Sequence, residues 1–167
     1  AKGFDLLVTS GGASVGDHDL VQSVSGDQGM ELGFYKIAMR PGKPLIFGRL
    51  GHTFLLGLPG NPVSTGVTAA IFMRAAIEQL LGLMPAPLYH AAKLGRDLPQ
   101  NGKRLDFMRA ELTPSSEGLP TATPFERQDS SMMGRFADAD CLVMREINAP
   151  PASAGDTVKI VPLRVST

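Results

Sequence analysis

The 167-residue chain has a single cysteine, Cys141. One thiol cannot build an internal disulfide framework, and it suits a reducing compartment such as the cytoplasm. Net charge is also missing: sixteen Lys and Arg balance sixteen Asp and Glu. Bulk attraction to nucleic acid or to an anionic membrane surface is therefore excluded, and any anion recognition must be local. No apolar run is long enough to span a bilayer, and no basic-then-apolar leader opens the sequence. The three histidines, His18, His52 and His90, lack metal-ligand spacing, which argues against zinc. There is no GxSxG nucleophile elbow, no Walker A loop and no GxGxxG fingerprint. The chain begins Ala-Lys-Gly-Phe, without an initiator Met and directly in strand-like sequence, as expected of a piece cut from a longer protein.

What is present is a globular composition, 43% hydrophobic and 19% charged, with 19 glycines and 13 prolines that make loops important. The stretch Thr9–Asp19, reading TSGGASVGDHD, draws most attention. Residues 5–9 read as a buried strand and Leu20, Val21 and Val24 recur at helical spacing, with Asp17 a suitable N-cap. Between them Gly11, Gly12 and Gly16 allow close backbone approach, and Ser10 and Ser14 offer hydroxyls. This is how a strand-to-helix loop cradles phosphate or an oxyanion. Asp17 and Asp19 would repel that anion unless a cation lay between. They read equally as helix-capping acids or as oxygen ligands for a hard cation such as Mg²⁺, with Asp19 the better functional candidate.

Further along, Phe34–Met39 reads as a strand. Leu45–Phe47 and Thr53–Leu56 read as an antiparallel pair about Gly51. Asn61 and Pro62 read as the N-cap and first position of a long helix that ends at Gly82. Val63, Val67, Ala70, Ile71, Ile77, Leu80 and Leu81 supply its apolar face. Strands alternating with helices give an α/β class with parallel character. After Met84-Pro85-Ala86-Pro87 the helical period disappears. Tyr89–Leu94, Leu105–Leu112, Leu119–Ala122, Cys141–Arg145 and Thr157–Pro162 read as strands of a small, mostly β barrel or sandwich. Cys141 reads as core.

Two more loops suggest a site. Arg40-Pro41-Gly42-Lys43-Pro44 presents two cations on a proline-stiffened turn, with Lys36 nearby. The alternative is a solvated turn. Leu58-Pro59-Gly60-Asn61-Pro62-Val63-Ser64 opens the long helix, where a cap and an anion contact are compatible. In open α/β sheets ligands bind beyond the carboxyl ends of strands, where these loops fall. In the second half Arg104, Arg109, Arg127 and Arg135 read as surface charges. Gln128-Asp129-Ser130-Ser131 reads as a polar loop able to reach a neighbouring site.

These three loops, in this order and spacing, resemble the molybdopterin molybdenumtransferase family of MoeA type, which includes the E domain of gephyrin. The resemblance continues through Arg104-Leu105-Asp106-Phe107-Met108-Arg109 and Gln128-Asp129-Ser130-Ser131. It implies a molybdopterin-binding three-layer α/β domain at 1–83, a linker at 84–88 and a C-terminal β domain at 89–167. Family members are more than twice this length, so the α/β domain is expected to be incomplete on its N-terminal side. The implied activity is insertion of molybdate into adenylylated molybdopterin with Mg²⁺. The resemblance assigns Gly11, Gly12 and Ser14, with Ser10, to the pterin-phosphate pocket. Asp19 and Asp17 fall at the metal or molybdate site, and Lys43 and Arg40 on anionic oxygens. Pro59, Gly60, Asn61 and Ser64 would form the adjoining wall. Arg104, Arg109, Ser130 and Ser131 would contribute from the β domain. It further implies a cytoplasmic homodimer working with other molybdenum cofactor biosynthesis proteins. A non-catalytic module that holds molybdopterin or a protein partner is the alternative.

Overall fold

The computed structural model of the chain describes residues 3–11, 29–84, 87–129 and 133–163. They form two compact units: one within Ala1–Ile37 and Pro41–Met84, the other within Ala38–Arg40 and Pro85–Thr167. The helix expected from Leu20 lies outside the described residues.

In the first unit four strands form a mixed sheet: β1 (Leu6–Ser10), β2 (Glu31–Tyr35), β4 (Ile46–Leu50) and β5 (Thr53–Leu58), in the order β1-β5-β4-β2. β1 runs parallel to β5, from Leu6 opposite Phe54 to Ser10 opposite Leu58. β4 and β5 form the expected antiparallel hairpin about Gly51. The strand expected over Phe34–Met39 divides instead. β2 ends at Tyr35 because Lys36 takes φ 65°, a left-handed conformation that ends extended pairing. Met39–Arg40 (β3) then joins the sheet of the second unit.

Asn61 caps the helix with extended φ/ψ, its side chain accepting from the Ser64 N–H at 3.1 Å, and Pro62 follows as the first helical residue. The helix runs as α1 (Pro62–Thr68), a π turn (Ala69–Met73) in which the Arg74 N–H bonds the Ala69 carbonyl, and α2 (Arg74–Leu80). The extra residue in the π turn turns the later face away from the earlier one. Val63, Val67 and Ile71 are buried as expected, but Ile77, Leu80 and Leu81 remain exposed. Ala69, Phe72 and Met73 pack instead on a cluster centred on Leu45, Leu56 and Leu58.

The second unit is built from β6 (His90–Leu94), β7 (Leu105–Thr113), β8 (Thr121–Pro124), β9 (Cys141–Arg145) and β10 (Thr157–Pro162). β7 pairs with both β8 and β9, so the order β7-β8-β6-β10-β9 closes on itself as a barrel, with β3 added alongside β7. Its interior holds Ala92, Leu94, Ala110, Ala122, Cys141, Val143 and Ile160, all at most 2% exposed. Small residues alternating with branched ones fill so narrow a barrel. Burial pushes the Cys141 thiol up to about 12. A short helix, α3 (Met133–Ala137), interrupts the strands, where the sequence showed no helical period.

Candidate functional site

One end of the first sheet collects most of those expected site residues that are described. β1 and β5 run parallel and finish together, since Ser10 lies opposite Leu58. The Gly11 N–H extends the pairing by one bond, to the Leu58 carbonyl at 3.1 Å. Gly11 has φ +86°, and a Cβ on Gly60 would lie 3.4 Å from the Gly11 Cα. The two loops therefore pass each other backbone to backbone, and glycine at both positions leaves the gap open.

The second loop is held from within. Pro59 is fully buried. The Thr65 hydroxyl donates to the Pro59 carbonyl and, at 2.9 Å, to the Asn61 carbonyl. The Ser64 hydroxyl lies 3.3 Å from Asn61 Oδ1. Asn61 and Ser64 thus serve first as the helix cap, and the half-buried Asn61 and exposed Gly60 form the accessible rim.

Lys43 reaches the same end by a different route. Antiparallel pairing sets Ile46, the start of β4, opposite Gly57 near the end of β5. The Lys43 carbonyl accepts from the N–H groups of both Ile37 and Leu45, at 3.0 and 3.1 Å. Gly42, with φ 107°, makes the reversal just before it. β4 and β1 flank β5, so the Lys43 loop and Gly11 are separated by two strand spacings, roughly 10 Å. Lys43 is exposed, and Lys36 has its ammonium 4.4 Å from the Tyr35 ring centroid.

The expected loop Arg40–Pro44 is divided between the units: Lys43 belongs to the first, Arg40 to the second. Arg40 pairs with Asp106 in a fork, Nε to Oδ1 at 3.1 Å and Nη2 to Oδ2. That bond, more than its Coulomb attraction, raises the Arg40 pKa against the lowering effect of burial. Arg104 is exposed in the bend just before β7. Arg109 is not the surface charge expected. It is 2% exposed, with its Nε on Gln128 Oε1 at 3.3 Å and Nη2 on the Asp129 carbonyl at 2.9 Å. Desolvation lowers its pKa, against the pull of Asp129. It braces the 125–129 segment and is not presented to solvent.

Gly12, Ser14, Asp17, Asp19, Ser130 and Ser131 lie outside the described residues. Among the described residues no three His, Cys, Asp or Glu side chains gather as metal ligands. Asp106, paired with Arg40, carries no role of its own in the sequence, and Gln128, which reads there only as part of a polar loop, bonds Arg109 instead.

Residues 1–79 match the family described as a probable molybdopterin binding domain, and residues 91–163 match the MoeA C-terminal region, domain IV. A molybdopterin molybdenumtransferase of Haemophilus influenzae is 36% identical over 160 residues, 95% of this chain and 39% of that protein. One of Bacillus subtilis is 32% identical over 164 residues, covering 98% of this chain and 38% of that protein. The crystal structure of a molybdopterin biosynthesis moea protein from Pyrococcus horikosii superposes with a TM-score of 0.74 at 27% identity, over 97% of this chain and 38% of that one. The chain thus spans well under half the length of the curated relatives it matches. Matched on both of its units, the chain belongs to the molybdopterin molybdenumtransferase (MoeA) family and corresponds to a C-terminal part of its members.

Proposed function

We propose that this chain is the C-terminal part of a molybdopterin molybdenumtransferase, which inserts molybdate into adenylylated molybdopterin. The observation that carries the reading is the meeting, at one end of the first sheet, of Gly11, Gly60, the Asn61-capped turn and the Lys43 loop. A phosphorylated pterin and a tetrahedral oxyanion are both anionic. Gly11 spends its own N–H on the Leu58 carbonyl, so in this reading the two apposed glycines give such groups room against the backbone, and Lys43 supplies opposite charge. Ser10, Gly12 and Ser14 line the same phosphate pocket in this reading, and Pro59 and Ser64 hold its wall in shape. Arg40 and Arg104, exposed on the second unit, hold anionic oxygens, and Ser130 and Ser131 contribute hydroxyls. Arg109 acts by holding the loop that leads to them.

Asp17 and Asp19 supply the hard oxygen donors that suit Mg²⁺. When bound, that ion would offset the charge of the oxyanion and polarise it. The domain division 1–83, 84–88 and 89–167 belongs to the same proposal, as do cytoplasmic location, a homodimer and contacts with other molybdenum cofactor biosynthesis proteins. Sedimentation of the purified chain tests the dimer.

Titration of the purified chain with molybdopterin, followed by an assay for molybdate- and Mg²⁺-dependent product, tests the function. Binding weakened by Lys43→Ala is the expected result, and absence of binding by the unaltered chain would overturn it. Binding without turnover would favour the non-catalytic module. In a full-length relative, replacing the residue that matches Asp19 with Ala should abolish insertion while preserving the fold. Unchanged insertion would sink the metal assignment.

A further inference from the structure

Three charged residues stand in one row across three strands of the second unit. Parallel pairing sets Arg40 of β3 opposite Asp106 of β7. Antiparallel pairing sets Arg145 of β9 opposite Asp106 from the other side. Directly opposed residues project from the same face of a sheet. Asp106 and Arg145 are buried, at 6% and 7% exposure, whereas the Arg40 side chain is 56% exposed. Asp106 takes the Nε and Nη2 of Arg40. Arg145 donates from Nη2 to the carbonyls of Pro99, at 3.2 Å, and Pro150.

We propose that Asp106 is a positioning residue, holding the Arg40 guanidinium so that its outer edge meets a tetrahedral oxyanion or phosphate. This rests on the reading of Arg40 as an anion contact. A free arginine surrenders about 2 kcal/mol of rotamer entropy when a ligand orders it. Here the fork is ordered beforehand by a carboxylate that is itself fixed in a strand. The pairing uses one edge of the planar group and leaves Nη1 uncommitted among the described residues. A carboxylate beside a cation would ordinarily cancel its charge. The buried Arg145 one strand away offsets Asp106, so the row Arg40–Asp106–Arg145 keeps a net charge of about +1 toward an arriving anion.

The test is a double-mutant cycle on the 167-residue chain, with molybdate and inorganic phosphate as separate calorimetric probes. Arg40→Ala should weaken binding roughly tenfold. Asp106→Asn should weaken it several-fold, and the double variant should be no weaker than Arg40→Ala alone. The Arg40 Nε–H resonance, slow to exchange with water in the unaltered chain, should exchange quickly in Asp106→Asn. Undiminished binding in Arg40→Ala would overturn the reading of Arg40, and this inference with it. A loss in Arg40→Ala with none in Asp106→Asn would overturn the positioning role alone. So would a double variant much weaker than Arg40→Ala. Should Asp106→Asn fail to fold, Asp106→Glu replaces it. That variant keeps the charge but moves the carboxylate by one methylene, and affinity equal to the unaltered chain would again overturn the role.

Discussion

Arg109 is bound to a segment that has no regular structure. Gln128 accepts from the Arg109 backbone N–H at 2.9 Å and donates to the carbonyls of Arg109 and Phe125, each at 2.9 Å. Leucine at position 128 would remove the acceptor shared by the Arg109 N–H and Nε, while the Arg109 carbonyl keeps its bond from the Phe125 N–H at 3.0 Å, so Gln128→Leu should destabilise the chain by about 1–3 kcal/mol. A shift of the urea midpoint would measure it. Cys141 supplies a prediction in pH. Burial lifts its thiol from 9.0 to about 12, so the folded chain holds that proton more tightly than the unfolded chain. The associated stability is intact below pH 9 and is lost as pH rises from 9 toward 12. Cys141→Ala should flatten the decline by up to about 1.4 kcal/mol per pH unit. Equal slopes in urea melts of the two proteins would show that the thiol does not carry it. The burial of Cys141 was legible in an apolar strand, but that of Arg109 was not. Its strand position is visible in sequence, whereas the 125–129 segment covers it only through hydrogen bonds formed after folding.

At the scale of elements, the helix start was readable because an N-cap is a local device. Asn61 accepts from Ser64, three residues on, and no distant partner is needed. Asn61→Ala should cost about 1 kcal/mol, and Asn61→Asp should retain most of it. Thermal melts of the two variants would decide, with equal melting temperatures counting against the cap. The far half of the same helix departs from its apolar spacing because a π turn shifts its phase, and nothing in that spacing marks the insertion. Phe34–Met39 likewise reads as one strand in the sequence. Its apolar run is real, but the positive φ at Lys36 divides it, and Met39 and Arg40 find their partners 66 residues away in β7. The barrel strands were read within a few residues because each is bounded by glycine, proline or polar turns.

The first unit of the whole molecule has an apolar margin. Phe4 is 68% exposed, and Leu7 and Val8 of β1 are exposed on opposite faces of the strand. Strands of this kind tend to pair with other chains. The 167-residue chain should therefore self-associate with rising concentration, and Val8→Lys should suppress this. Sedimentation velocity would show it, and concentration-independent coefficients for the unaltered chain would refute it. The sequence by itself determined the α/β class of the first half, the barrel strands of the second, the capped helix start and the three loops that carry the family resemblance. Each rests on side-chain period, turn chemistry or caps, which act over a few residues. Tertiary structure alone decided that Lys43 and Arg40 part company, that Arg109 is buried, and that Asp106 stands between two arginines. Those outcomes depend on strand register between distant segments, and register is set by the sheet as a whole.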